Sequence, residues 1–269
     1  MYDRTASLSH TLKHAETSTD QQSDIHFLRR IFWMKHSACF LIIAFVVLVL
    51  FNSNTTAQQK DRAQIKKEID ALNQQIRQRE TELLAPSQED QTKFAEFLKQ
   101  PDTGLIRLMP RERYDRKLTI SGGGAYYSFF LRTHEYGRGS DISLEQNYFS
   151  VGFAGADFGF LFNLGDMPIE DVTTETNGVK YLVEFVTPST EPQARIQQRR
   201  AWEFEEDGFK YQRRVLAKVG NTYVVRSVNY GDSDWLVAFR SIDEDFDGSI
   251  TIAWKVLKKF PKPELARIE

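Results

Sequence analysis

A mostly β outer domain, a β-sandwich or partly open barrel with helices on its N-terminal side, is the fold class this sequence predicts. One transmembrane helix and a short coiled coil precede it. Three observations lead there. Ala38 to Phe51 is an unbroken apolar run in an otherwise polar chain. A heptad pattern follows it between residues 58 and 85. Beyond Thr103, short runs rich in Val, Ile, Phe and Tyr alternate with Gly and Asx punctuation, the mark of strands joined by turns.

Residues 1–30 are expected to be a disordered cytoplasmic tail. The Ser, Thr, His and Gln richness of residues 1–25 shows no sustained period, and His10, His14 and His26 are too scattered to hold a metal. The apolar run itself covers 14 residues, short of the roughly 20 that cross a bilayer. Extended back to Ile31 it reaches 21 residues. Lys35 then snorkels to the headgroups and Trp33 sits at the interface. Residues 31–51 are therefore read as a transmembrane helix.

A buried core helix, a cleaved leader ending at Thr55-Thr56-Ala57 and a lipid anchor at Cys39 compete with that reading. The run has no amphipathic face, the segment before it is too long for a leader's n-region, and the apolar residues follow Cys39 instead of preceding it. Arg29, Arg30 and Lys35 lie on the N-terminal side, while no charge occurs between Asn52 and Gln59. The positive-inside rule then leaves the N-terminus in the cytoplasm and the C-terminal domain outside, periplasmic or extracellular.

Residues 58–85 read as a coiled-coil stalk. Ile65, Ile69, Leu72, Ile76 and Leu83 are spaced 4, 3, 4 and 7 apart, with Arg79 at one core position. That is a heptad seam, and it predicts a homo-oligomer or a partner helix joined through residues 62–84. An amphipathic helix packed on its own domain is the competing expectation. Pro86 stops the helix. Ser87 then caps a new one, with Asp90 three residues on favouring the positive helix end; Phe94, Phe97 and Leu98 form its apolar stripe and Pro101 ends it.

Residues 87–269 form the β-rich extracytoplasmic domain of this reading. Strands are expected at Lys117–Ser121, Ala125–Arg132, Tyr148–Phe153, Phe158–Asn163, Val179–Thr187, Phe209–Val215, Thr222–Asn229, Trp235–Ile242 and Ser249–Leu257. Gln193–Phe204 should begin as helix and end as strand. About nine strands without alternating helices argue against a doubly wound α/β fold and for a sandwich or barrel.

Composition narrows the chemistry. The 269 residues are 27% charged with a net charge of -2, so nothing like the basic excess of a nucleic-acid binder is present. The single cysteine, Cys39, lies in the apolar run. The outer domain therefore has no disulfide, thiol nucleophile or cysteine metal site, and a bacterial envelope suits such a domain.

The strongest ligand-like motif is Asp243-Glu244-Asp245-Phe246-Asp247-Gly248-Ser249-Ile250. Oxygen ligands at positions 1, 3 and 5 (Asp243, Asp245 and Asp247) and glycine at position 6 match a calcium loop. Trp254 stands where the bidentate glutamate belongs. The competing reading is a type I′ hairpin at Asp247-Gly248.

His134 is the only histidine beyond the apolar run; Glu135, Ser140 and Asp141 follow it closely, so His134, Glu135 and Asp141 are the candidate catalytic groups. Triads are recognised by geometry, however, and not by closeness in sequence. Ser121-Gly122-Gly123-Gly124 resembles a phosphate loop but precedes a strand-like run, which favours a tight turn. Phe158, Phe160 and Phe162 would share one face of a strand, with Gly159 opening the other face to close approach.

The leading functional expectation is a non-enzymatic, membrane-anchored envelope protein. Its outer β-domain binds a protein partner or envelope component as a scaffold module, while the coiled coil oligomerises it. The alternatives are an envelope hydrolase built on His134 with nearby carboxylates, and a calcium-stabilised adhesion module. No cofactor other than calcium is expected.

Overall fold

The computed structural model describes residues 61–113, 118–134, 136–137 and 139–266. The transmembrane helix expected at 31–51 and the tail at 1–30 lie outside these residues. Among the described residues, no helix is long and apolar enough to cross a membrane. They divide between two compact units, separated between Ala71 and Leu72. In the first unit, residues 61–71 are helical; in the second, the helical stretch runs through residue 83. Residues 61–83 are called α1 below.

The second unit is mostly β, with two antiparallel sheets and few helices. Its strands are β1 (Thr103–Leu108), β2 (Tyr126–Tyr127), β3 (Ile142–Glu145), β4 (Tyr148–Ser150), β5 (Phe158–Gly165), β6 (Glu203–Glu206), β7 (Phe209–Gln212), β8 (Arg214–Leu216), β9 (Thr222–Asn229), β10 (Ser233–Glu244) and β11 (Ile250–Lys259). The larger sheet has seven strands in the order β1-β11-β10-β9-β5-β7-β6, and the smaller has four in the order β2-β3-β4-β8. The helices are α2 (Gln88–Lys93), α3 (Val179–Glu184) and α4 (Glu191–Arg200).

Strand period explains the layering. In β9, Tyr223 and Val225 point into one core, and Val224 and Val228 into the other. The first core lies between the two sheets, where Phe129, Ile142, Leu144 and Phe149 meet Phe239, Ile252 and Trp254. The second lies on the opposite face of the large sheet, under Val179 and Leu182 of α3 and Ala194 of α4. All eight residues of β9 are buried, as a strand covered on both faces requires.

The phenylalanine stripe belongs to the helix-side core. Phe158, Phe160 and Phe162 line that face of β5, and Phe160 meets Phe185 and Phe204 edge-on at 5.0 and 5.3 Å between ring centroids. On the other face, a Cβ at Gly159 would lie 2.4 Å from Val151 and 2.5 Å from the Arg226 carbonyl oxygen. Glycine is needed there because Val151, just past β4, and the neighbouring strand β9 approach so closely.

Several elements differ from the sequence expectation. Val179–Glu184 is a helix, not a strand. Its β-branched and aromatic residues favour a strand locally, but Val179 and Leu182, three apart, bury together as one face of a helical turn. Only Tyr126–Tyr127 of the expected Ala125–Arg132 strand is extended; residues 129–132 turn. Residues 118–121 are not strand. The strands β1 and β3 were not anticipated; β1 pairs antiparallel with β11, setting Gly104 opposite Trp254. The expected division of 193–204 holds, with α4 followed by β6. Ser87 caps α2 by accepting from the Asp90 amide, while Asp90 sits in its first turn.

Candidate functional site

The end of α1 is fastened to the β-domain by three contacts built around residues from β1 and the loop before β2. Glu80 is 4% exposed, and its carboxylate accepts from the Thr119 amide at 2.5 Å and the Thr119 hydroxyl at 2.6 Å. Leu84 is buried against Gly124, where an added Cβ would lie 2.5 Å from its Cδ2. The Ser121-Gly122-Gly123-Gly124 segment is therefore a turn that receives an apolar side chain. Finally, Nη1 of Arg107 donates to the Leu83 carbonyl at 3.0 Å, satisfying one of the acceptors a helix end leaves open.

Arg107 reaches the acidic hairpin with its other nitrogens. Nε lies 2.6 Å from the Asp245 carboxylate and Nη2 lies 2.9 Å from that of Asp247. The β10–β11 connection is a hairpin. The Asp245 amide donates to the Ser249 carbonyl and the Gly248 amide to that of Asp245, both at 2.8 Å. Gly248 takes a φ of 80° while Asp247 stays out of that region. The turn is thus a three-residue loop with a glycine bulge, not the two-residue type I′ turn expected.

Of the three candidate calcium ligands, Asp245 and Asp247 face an arginine. Burial raises the Asp247 carboxyl pKa, but hydrogen bonds from Ser249 and the Arg107 guanidinium outweigh it and hold it below the usual range. Among the described residues, no group of three or more His, Cys, Asp and Glu side chains is arranged to hold a metal ion. Trp254, at the twelfth position of the loop, is a core residue of β11.

His134 and Asp141 have separate environments. The His134 Nε2 is 3.0 Å from the Arg107 carbonyl oxygen, and its ring packs edge-on against Tyr127 at 5.0 Å. Burial pulls its pKa below the ordinary value, opposed by that hydrogen bond. The cavity of about 680 Å³ that His134 lines also contains Glu80, whose carboxylate is held by Thr119. Asp141 has no exposure. Its carboxylate accepts from the Phe129 amide at 2.7 Å and the Asn229 side-chain amide at 2.7 Å. Burial pushes its pKa up to about 6 against those hydrogen bonds. Glu135 lies outside the described residues.

The heptad residues are exposed in each unit, Ile65 and Ile69 in the first and Leu72, Ile76 and Leu83 in the second. Ile65, Ile69, Leu72, Ile76 and Leu83 are 46%, 50%, 57%, 40% and 45% exposed. In the second unit Leu72, Ile76 and Leu83 border a concavity of about 400 Å³ together with Leu118. Arg79, at the polar core position, pairs with Glu82 at 2.6 Å.

A second concave feature lies where the β4–β5 loop meets α4 and β8, and no sequence motif marks it. Two adjoining cavities of about 340 and 250 Å³ share Phe153, Trp202 and Arg213. The loop is stitched to α4: Arg195 Nη1 donates to the Gly155 carbonyl at 2.6 Å, and Gln198 Nε2 donates to the Gly155 and Asp157 carbonyls at 2.9 and 2.7 Å. Arg213 donates to the Val151 and Gly152 carbonyls at 3.0 and 2.7 Å. Its guanidinium stands 5.3 Å from the Trp202 ring, which is 63% exposed. The four-residue spacing of Arg195 and Arg199 on α4, with Arg213-Arg214 further on, was the only signal available in the sequence.

No protein-family model matches the chain, and neither the curated proteins nor the solved structures yield a match to it.

Proposed function

We propose that this chain is a non-enzymatic, single-pass membrane-anchored envelope protein. Its β-domain is a binding module, and its stalk assembles copies of the chain through α1. The observation that carries the reading is the exposure of Leu72, Ile76 and Leu83 in the second unit, on a helix whose end is fastened by Glu80, Leu84 and Arg107. Ile65 and Ile69 of the first unit, also exposed, continue the heptad spacing in sequence. An amphipathic helix serving only its own domain would bury these side chains. Five side chains at heptad spacing, left half-exposed, instead suit the knobs-into-holes packing of a second copy. Anchoring in one membrane raises the effective concentration of copies, which favours a coiled coil this short.

The anchor at residues 31–51, the cytoplasmic N-terminus and the outer position of the β-domain rest on the apolar run and the charge of its flanks. The hydrolase reading draws little support from the geometry, because Asp141 is spent on Phe129 and Asn229 while His134 bonds a backbone carbonyl. The calcium reading draws little from a loop in which two of its three candidate ligands, Asp245 and Asp247, already face Arg107.

Disulfide trapping tests the stalk in membranes. With Cys39→Ser as background, Ile76→Cys should give a disulfide-linked dimer on mild oxidation, and Gln78→Cys on the opposite face should not. Equal trapping at both positions, or at neither, contradicts the reading.

A further inference from the structure

The groove at the β4–β5 loop concentrates positive charge on a chain whose net charge is -2. Five arginines line its two cavities (Arg111, Arg195, Arg199, Arg213 and Arg214), against two carboxylates, Asp157 and Glu145. Asp157 accepts from the Tyr230 amide at 2.9 Å, and Glu145 pairs with Arg111 at 2.7 Å. Arg195 pairs with Glu191 of its own helix at 2.9 Å, which leaves Arg199, Arg213 and Arg214 as the groove's cations without a carboxylate ion pair among the described residues. Every cation is an arginine, the side chain whose planar fork matches carboxylate and phosphate and which also stacks on rings.

The groove is built before any ligand arrives. Backbone carbonyls hold Arg213 in place, and Arg214 lies 4.3 Å from the Tyr148 ring while donating to the Glu145 carbonyl at 3.1 Å. Groups fixed in this way lose little freedom on binding. Beside them are rings with open surface: Trp202, 63% exposed, and Tyr136, 50% exposed, the latter 4.6 Å from Tyr126. Such faces pack against the C–H face of a sugar ring, because the π-cloud is negative and the C–H groups are slightly positive. Two small, mostly polar compartments in series suit consecutive small units; a docked helix would need a continuous apolar groove.

We propose that this groove binds an anionic oligosaccharide. Trp202 carries a sugar ring, and Arg199 and Arg213 take its carboxylate. The proposal rests on the binding-module reading above and names the ligand class of that module.

Calorimetric titration of the detergent-solubilised full chain tests it, with oligogalacturonate and oligomannuronate tetramers as probes. Methyl-esterified tetramers, a hexaglutamate peptide and inorganic phosphate serve as controls. Saturable binding of at least one uronate tetramer is expected, with the ester, the peptide and phosphate weaker by about tenfold or more. Trp202→Ala and Arg213→Ala should each weaken it about tenfold. Arg199→Ala, at an exposed rim position, should weaken it while leaving the unfolding midpoint unchanged, which covers the case where Arg213→Ala disturbs the loop.

The proposal is overturned if neither uronate binds, if the esters bind equally, if the peptide or phosphate binds as tightly, or if Trp202→Ala and Arg199→Ala are both silent. Sedimentation of the same samples separates the two readings. Failed uronate binding by an oligomeric chain removes the ligand class alone, whereas a monomeric chain removes the stalk reading.

Discussion

The Arg107 guanidinium lies 2.9 Å from the Asp247 carboxylate, joining β1 to the tip of the β10–β11 hairpin. The same side chain holds Asp245 and the last turn of α1. One residue thus supports the helix exit and occupies two of the three candidate cation-binding carboxylates.

Arg107→Ala should therefore destabilise the β-domain by about 1–3 kcal/mol. The arginine is largely buried, but its partners are partly exposed and screened. Arg107→Lys should recover little, because an ammonium cannot span three acceptors in fixed directions. Urea unfolding midpoints check both variants. In the wild type, neither calcium nor a chelator should move the melting temperature; a chelator-induced fall would restore the calcium reading.

Arg226 and Asp234 form the most deeply buried ion pair described, each about 1% exposed, with two contacts of 2.9 Å. Arg226 also donates to the Leu182 and Phe185 carbonyls at 2.6 Å, which ties α3 to β9. Removing either partner strands the other charge in the core, so Arg226→Ala or Asp234→Ala should each cost about 3–5 kcal/mol. The double variant should lose clearly less than the sum of the singles. Equilibrium unfolding of the three variants measures that coupling.

Asp141 and His134 give the domain opposite pH responses. The folded pKa of Asp141 is raised from 3.8 to about 6, so the folded state holds the proton more tightly. Its contribution is full below about pH 4 and is lost as pH rises through about 6, a difference of about 3 kcal/mol at most. The folded pKa of His134 is lowered from 6.5. Its contribution is present above pH 6.5 and is lost as pH falls through the lower folded value. Unfolding midpoints from pH 4 to 8 should show the Asp141 slope disappear in Asp141→Asn, and the His134 slope disappear in His134→Phe.

The strands that pack on both faces were legible because period and punctuation agree in them. Phe158, Phe160 and Phe162 with Gly159, and the whole of Thr222–Asn229, show this best. The α3 helix was not legible: Val179-Lys180-Tyr181-Leu182-Val183-Glu184 has strand-like residues, and only the core beneath Val179 and Leu182 selects a helix. In β1, Gly104 and Arg107 interrupt the apolar alternation, and its pairing with β11 spans most of the chain. The role of Asp141 depends on Asn229, 88 residues away, and no local pattern announces it. The arginine groove was hidden for the same reason, being assembled from a loop, a helix and a distant strand.

Sedimentation equilibrium of the full chain in detergent measures assembly through the α1 heptads most directly. The wild type should sediment as an oligomer, and Ile69→Lys/Ile76→Lys as a monomer whose β-domain unfolds at an unchanged urea midpoint. A wild type that is monomeric at every concentration, or a double variant that stays oligomeric, would contradict it.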